Sequence, residues 1–143
     1  MIFLLDTTVI VAALTRSHEA HPRSLRWVQR AHKADTAVIA THGLAEVFSV
    51  LTTLPLQPRL APATAVELIR ENILRRFRIV PLLARDYSVV IRRMASAGLS
   101  GGIIYDALHA RAAEKARVDR LVTLNPAHFE RLTGLFTVAV SAP

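Results

Sequence analysis

An acidic residue, Asp6, directly follows a run of four apolar residues, Ile2–Leu5, near the start of the chain. A short and continuous apolar run is typical of a parallel strand that is covered on both faces. Ligands of open α/β sheets bind beyond the carboxyl ends of the strands. A carboxylate at this position is therefore either a helix cap or part of a functional site.

A second acidic residue, Asp106, falls on a helical face that the sequence predicts to be buried. At about 100° per residue it shares this face with Ile103, Ala107, Ala110 and Ala113. A lone buried carboxylate is costly, so it needs a cation, an Arg partner or several hydrogen-bond donors. We therefore expect a functional acid. A buried ion pair, or an acid stabilised by the dipole at the start of its helix, is the alternative.

A third acid, Glu46, lies near the amino end of the helix that follows the second predicted strand. It falls away from the apolar stripe of that helix, which by itself favours a solvated acid. Its position favours a site, because parallel strands bring their carboxyl ends, and the residues that follow them, to one edge of the sheet. Asp6 is expected at that same edge.

Four polar residues near the predicted strand ends could support such a site. Asn125 stands between an apolar strand and Pro126, which predicts a helix N-cap, with a neutral oxygen ligand for a metal ion as the alternative. Thr8 and Thr123 are expected to be cap or strand hydroxyls, and either could orient a water molecule on a cation. His128 is expected to face the same edge of the sheet, where it is a candidate for phosphate contact.

The composition excludes several kinds of active site. The 143 residues include no Cys, which rules out disulfides, thiolate catalysis and Cys-based zinc sites, and leaves carboxylates and six His as metal ligands. No H-E-x-x-H motif occurs. The formal net charge is +7 and is carried almost wholly by Arg, which favours a polyanion or an acidic protein as partner, although solvated helix faces would look similar.

Short apolar runs alternate with helical patterns along the whole chain, which predicts one α/β domain over residues 1–143. No stretch approaches the roughly 20 apolar residues of a membrane span, and no basic segment opens a secretory signal, so we expect a cytoplasmic protein. The predicted strands are 2–5, 36–40, 78–82, 120–124 and 136–140. The predicted helices are 8–15, 22–32, 41–54, 62–76, 86–97 and 103–117, with a short seventh helix after Asn125.

Four parts of the sequence together resemble PIN-domain ribonucleases, and more closely the VapC-type toxins of bacterial toxin–antitoxin pairs. They are LLDTTV at residues 4–9, Glu46 in the third helix, SGGIIYDALH at residues 100–109 and DRLVTLNPAHF at residues 119–129. Each part alone is weak, but their order and spacing in a chain of this length make a strong match. The resemblance spans the whole chain.

The resemblance implies a three-layer α/β/α sandwich around a mostly parallel sheet of four to five strands. It also implies a metal-dependent endoribonuclease with Asp6, Glu46 and Asp106 as catalytic acids, in which Asp6 and Asp106 hold Mg²⁺, with Mn²⁺ as the alternative. Water activated by this cation would attack an RNA phosphodiester bond. The family usually has a fourth acid at or just after the position of Asn125. Because this chain has Asn125 in place of that acid, the number of bound ions, one or two, stays open.

The resemblance further implies two protein partners, a cognate antitoxin that covers the active-site groove and a second copy of the chain in a homodimer. We expect the antitoxin surface on the helical pair 41–54 and 62–76, with Arg70, Arg75 and Arg76. Packing in the core would explain the apolar residues of this pair equally well.

Three other functions compete with this interpretation. The main rival is a catalytically degenerate PIN domain that binds RNA or a protein without cleavage, for which Asn125 is the argument. A haloacid-dehalogenase-like phosphotransferase is disfavoured because Thr8 stands where a second Asp is needed. A dinucleotide-binding enzyme is disfavoured because Gly101 and Gly102 follow no predicted strand.

Overall fold

The computed structural model describes residues 1–31 and 35–143. Within these residues, five parallel strands form one sheet in the order β3-β2-β1-β4-β5. The strands are β1 (Ile2–Leu5), β2 (Thr36–Ala40), β3 (Arg78–Val80), β4 (Arg120–Val122) and β5 (Val140–Ser141). The predicted sheet of four to five mostly parallel strands is confirmed.

Seven α-helices connect the strands in the described part of the chain. They are α1 (Thr7–Leu14), α2 (His21–Arg30), α3 (Thr41–Thr53), α4 (Pro62–Ile69), α5 (Ala84–Ser96), α6 (Ile103–Ala116) and α7 (Pro126–Glu130). The predicted helix 62–76 is not uniform, because residues Arg70–Leu74 form a π-helical turn after α4. The predicted end of α2, His32, lies outside the described residues. None of the described helices is long and apolar enough to cross a membrane.

The helices cover both faces of the sheet because the apolar strand residues alternate in direction. Phe3 and Leu5 of β1 pack into a core with α1 to α4, whereas Leu4 packs into a second core with α5 to α7. All three side chains are fully buried. The predicted three-layer α/β/α sandwich is therefore confirmed, and β1 is its central strand.

The strand order reverses at β1, which pairs with β2 on one side and with β4 on the other. Such a switch point opens a crevice at the carboxyl ends of the two strands, and open α/β sheets bind their ligands there. The backbone N–H of Asp6 donates to the carbonyl of Val122 across this crevice, at 3.1 Å. The fold thus places Asp6 at the switch point.

Three strands have different limits from those predicted, among them β3, which ends at Val80 instead of 82. β4 ends at Val122 instead of 124, because the next free N–H groups turn to side chains: Leu124 N–H donates to the Thr8 hydroxyl and Asn125 N–H to the Thr123 hydroxyl. β5 begins only at Val140, where its register with β4 begins. These bonds also fix the loop that carries Asn125.

Candidate active site

Asp6 serves as the N-cap of α1 and is almost completely buried, with 3% of its surface exposed. Its Oδ1 accepts hydrogen bonds from the hydroxyl of Thr8 at 2.6 Å and from the N–H of Val9 at 3.2 Å. Its Oδ2 accepts none from the described residues. The predicted cap is thus confirmed, and it leaves a second carboxylate oxygen available to a ligand.

The hydroxyls of Thr8 and Thr123 are both engaged in bonds within the protein. Thr8 Oγ1 donates to Asp6 and accepts from the N–H of Leu124, which ties the start of α1 to the end of β4. Thr123 is fully buried, and its Oγ1 accepts from the N–H of Asn125 at 3.0 Å. Both hydroxyls therefore position other residues of the edge.

Asn125 occupies the N-cap position of α7, but its side chain makes no capping hydrogen bond. The predicted N-cap position is therefore confirmed, without the side-chain hydrogen bond that usually accompanies it. Its backbone takes over part of the role, because the Asn125 carbonyl accepts from the N–H of His128 at 3.1 Å. The exposed amide side chain remains available at the crevice.

Asp106 lies in the first turn of α6 and is half-buried. Burial raises the pKa of its carboxyl, His128 and His109 lower it, and the negative charges of Asp6 and Glu46 raise it again, so that the net shift is upward. His128 Nδ1 lies 3.4 Å from Asp106 Oδ2. No Lys or Arg of the described residues forms an ion pair with Asp106. The other residues predicted on its buried face are indeed buried: Ile103, Ala107, Ala110 and Ala113.

Glu46 is held by two imidazoles and is not a free, solvated acid. The Nε2 atoms of His42 and His109 each lie 3.1 Å from its Oε1. Burial raises the pKa of Glu46, but the nearby imidazoles of His109 and His42 outweigh it and lower the pKa to about 2. His42 was not predicted as a site residue, although its i, i+4 spacing from Glu46 on α3 was a signal for this contact.

The three predicted acids do not form one compact group of metal ligands. Asp6, Glu46 and Asp106 are near enough for the first two to raise the pKa of the third. Across the described residues, however, the set of three potential metal ligands that lie within 4.8 Å of one another is His42, Glu46 and His109. The structure therefore brings the three predicted acids to one edge and adds two imidazoles that were not assigned to the site.

A cavity of about 390 Å³ opens beside the start of α1. Its lining combines polar residues of the site edge and of the loop before α2 with several apolar side chains. The lining residues are Thr7, Thr8, Val11, His18, Glu19, Ala20, Arg23, Val50, Leu54, Leu124 and Asn125. Arg23 supplies a cationic group to this groove.

Comparison with known proteins gives the family. The chain matches the model of the PIN domain over residues 3–135. Ribonuclease VapC27 of Mycobacterium tuberculosis is 40% identical to it over 116 residues, which cover 80% of this chain and 78% of that protein.

Two solved structures under 25% identical share the fold. VapBC2 from Rickettsia felis, bound to a DNA fragment from its promoter, aligns with a TM-score of 0.67 at 22% identity and covers 100% of this chain and 99% of that chain. VapC20 of Mycobacterium tuberculosis, a sarcin-ricin loop cleaving toxin, aligns with a TM-score of 0.65 at 15% identity and covers 83% of this chain and 86% of that chain. By its match to the family model and its identity to VapC27, the chain belongs to the PIN domain family.

Proposed function

We propose that this chain is a metal-dependent endoribonuclease that acts in the cytoplasm as the toxin of a toxin–antitoxin pair. The observation that carries the proposal is the placement of Asp6 and Asp106 at the switch point of the sheet, with no Lys or Arg of the described residues paired to Asp106. The 40% identical relative that is named a ribonuclease supports it. We take residues 1–143 as one PIN domain.

The residues at this edge fit a divalent cation. Asp6 has one carboxylate oxygen without a hydrogen bond from the described residues, and the carboxyl of Asp106 has its pKa raised by burial and by neighbouring negative charge. A cation bound between them would stabilise the ionised form of both carboxylates, because opposite charge stabilises a buried carboxylate. Oxygen ligands favour Mg²⁺, with Mn²⁺ as the alternative. Asn125, a neutral residue, adds no charge for a second ion.

Each residue of the edge has a separate role in this proposal. Asp6 and Asp106 hold the cation, which when bound lowers the pKa of water and neutralises charge on the scissile phosphate. Thr8 keeps the Asp6 carboxylate in place through its 2.6 Å hydrogen bond. Glu46, kept ionised by its two imidazoles, adds negative charge that strengthens cation binding at Asp106. His128 is exposed beside Asp106 and can donate to a phosphate oxygen.

RNA is the substrate that the groove fits. The cavity beside Asp6 has an apolar lining of Val50, Leu54 and Leu124 for an unstacked base, and Arg23 also lines it for the phosphate backbone. Single-stranded RNA presents such splayed bases, whereas a duplex keeps them stacked. The net charge of +7 adds a long-range attraction.

An RNA-cleavage assay tests the nuclease. The full chain is incubated with single-stranded RNA and Mg²⁺ or Mn²⁺, beside the variants Asp6→Asn and Asp106→Asn. Asp119→Asn is the matched control, because Asp119 accepts from Ile2 N–H at the opposite edge of the sheet. We expect both site variants to lose about 10³-fold in rate, the equivalent of several kcal/mol of charge stabilisation, while the control retains activity.

Two outcomes would contradict the nuclease. Cleavage that persists in both site variants or in EDTA would exclude the metal mechanism. RNA binding without cleavage by the unmodified chain would identify a degenerate PIN domain instead.

The antitoxin surface is expected on α3, α4 and the π-helical turn, together with the groove. The inner faces of these helices are core, as the alternative interpretation required, while their outer faces expose Phe48, Val66 and Leu74. Arg70 and Arg75 are paired with Glu67 and Glu71, so they contribute less free charge than the sequence alone indicated. Apolar contact is therefore the larger part of this proposal.

Co-purification tests the partners. The chain is produced with the product of its neighbouring gene, the expected antitoxin, and Val66→Glu is compared with Ile91→Glu, an equally exposed residue of α5. We expect Val66→Glu to lose the complex while its RNA cleavage persists, and Ile91→Glu to keep the complex. Equal retention by both variants would exclude this surface, and the mass of the free chain in solution tests the proposed homodimer.

A further inference from the structure

His42, Glu46 and His109 join the start of α3 to the middle of α6. Both imidazole Nε2 atoms lie 3.1 Å from the same oxygen of Glu46, and the two rings pack with centroids 4.3 Å apart. Ligand atoms bound to one ion at about 2.0–2.2 Å lie roughly 3–3.5 Å from one another. The contacts to Glu46 therefore have the spacing of ligands that share an ion.

The two imidazoles are buried with nitrogens that lack hydrogen bonds. The side chain of His42 is 10% exposed and that of His109 is 3% exposed. Among the described residues, neither ring nitrogen of His42 nor Nδ1 of His109 has a hydrogen-bond partner. His42 Nε2 is close to Glu46 but is not oriented to hydrogen-bond its carboxylate. An unpaired buried polar group is destabilising, and an ion bound to Nε2 of His42 would offset that cost.

A glycine allows the imidazole of His109 to lie against α3. A Cβ atom at Gly43 would come within 3.2 Å of His109 Cε1 and within 3.0 Å of Ile39 Cγ1. Real Cβ atoms rarely approach so closely, so any side chain at this position would push the ring away. The approach of the His109 ring to α3 thus depends on Gly43, and it brings His109 to His42 and Glu46.

We propose that His42, Glu46 and His109 form a binding site for a borderline transition-metal ion, with Zn²⁺ as its probe, in addition to the oxygen site of Asp6 and Asp106. Two imidazoles and one carboxylate favour Zn²⁺, Co²⁺ or Ni²⁺ over Mg²⁺, which takes oxygen ligands. The chain has no Cys, so no thiolate competes for such an ion. This site goes beyond the proposed nuclease, because its occupancy requires neither RNA nor cleavage.

The surroundings set the expected strength of the site. A ligating His usually donates its second N–H to a carboxylate or carbonyl, and loss of such a partner costs about 10–100-fold in affinity. The Nδ1 atoms of His42 and His109 lack one among the described residues. We therefore expect this site to bind Zn²⁺ about 10–100-fold more weakly than one whose imidazoles have such partners. Glu46 is 32% exposed, so water can fill the remaining coordination positions.

Calorimetric titration with Zn²⁺ tests the site. The full chain is stripped with EDTA, dialysed, and titrated at neutral pH with excess Mg²⁺ present, which fills the oxygen site. We expect one Zn²⁺ per chain, and at least a 10-fold weaker binding in His42→Ala and His109→Ala. His18→Ala and His128→Ala are the matched controls and should bind as the unmodified chain does. Unchanged affinity in both site variants, or no binding by the unmodified chain, would overturn the proposal.

A spectroscopic measurement on the unmodified chain keeps the test valid if a variant fails to fold. Co²⁺ in place of Zn²⁺ should shift the ring proton resonances of His42 and His109 most strongly. Shifts centred on other His residues would overturn the proposal. Zn²⁺ binding by a chain that does not cut RNA would contradict the nuclease alone, and RNA cleavage without Zn²⁺ binding would contradict this site alone.

Discussion

Helix α6 carries two charged regions of opposite character. Near its amino end, Asp106 has no Lys or Arg partner among the described residues, and burial raises its pKa. About one and a half to two and a half turns further on, Arg111 and Lys115 reach across to Asp86 of α5, whose carboxylate is fully buried. The same helix therefore leaves Asp106 without a Lys or Arg partner and supplies Asp86 with two.

In the second region, both carboxylate oxygens of Asp86 accept hydrogen bonds. Asp86 Oδ1 accepts from Arg111 Nε at 3.1 Å and Nη2 at 3.0 Å, and Oδ2 accepts from Lys115 Nζ at 2.7 Å and from Leu83 N–H at 2.9 Å. Burial raises the pKa of Asp86, but Lys115, the Leu83 N–H and Arg111 together lower it to about 2. A buried acid with four donors is a structural element, whereas a half-buried acid without cations is a candidate for ligand binding.

The largest stability difference is expected between Asp86→Ala and Asp106→Ala. Removal of Asp86 leaves two cations without their buried partner and should cost about 3–5 kcal/mol in the free energy of unfolding. Removal of Asp106 relieves repulsion with Asp6 and Glu46, so it should cost less than about 1 kcal/mol or stabilise the fold. Urea denaturation in EDTA measures both. Similar losses in the two variants would contradict the distinction between the regions.

The pH dependence of stability should have opposite signs at the two acids. The pKa of Asp86 falls from 3.8 to about 2 on folding, so its contribution is complete above about pH 4 and is lost as the pH falls toward 2. The pKa of Asp106 rises on folding from 3.8, so ionisation of this carboxyl destabilises the fold as the pH increases beyond that value.

Two Asp→Asn variants make these signs measurable in EDTA. The advantage of the unmodified chain over Asp86→Asn should shrink between about pH 4 and pH 2. The advantage of Asp106→Asn over the unmodified chain should grow between about pH 4 and neutrality. Parallel pH curves for all three proteins would show that neither carboxyl changes its pKa on folding.

The sequence predicted the fold well because the sheet is buried on both faces. Continuous apolar runs such as Ile2–Leu5 need both layers of helices, and this requirement is local to each strand. The ends of β4 and β5 were less predictable, because they depend on the Thr8 hydroxyl, more than a hundred residues from Leu124, and on the register between the strands.

The site was predictable where one element carries the signal. The positions of Asp6 after a strand and of Asp106 on a helix with a buried face could each be predicted from one element, and the structure has both residues there. The partners of Glu46 and Asp86 could not be predicted in this way, because they come from a different element, α6. His109 lies 63 residues from Glu46, and Arg111 lies 25 residues from Asp86. Only the spacing of His42 and Glu46 on α3 was a local signal.

A smaller loss of stability than that of Asp86→Ala is expected for Arg111→Lys, which keeps the positive charge of the residue but removes its planar shape. Arg111 donates to Asp86 through Nε and Nη2, and to Glu114 through Nη1 at 2.7 Å, so one planar group bridges two acids. A Lys has one ammonium and cannot hold both geometries, while Lys115 and Arg93 still neutralise the acids. We expect Arg111→Lys to lower the free energy of unfolding by about 1–2 kcal/mol.

Arg70→Lys is the matched control for that variant, because Arg70 forms exposed pairs with Glu67 and Glu71. Exposed pairs contribute little, so its change should stay within about 0.5 kcal/mol, measured by urea denaturation under the same conditions. Equal effects of the two variants would mean that the region around Asp86 needs positive charge but no bridging geometry. A larger loss in Arg111→Lys would make the bridge itself the feature that distinguishes this region from the uncompensated end of α6.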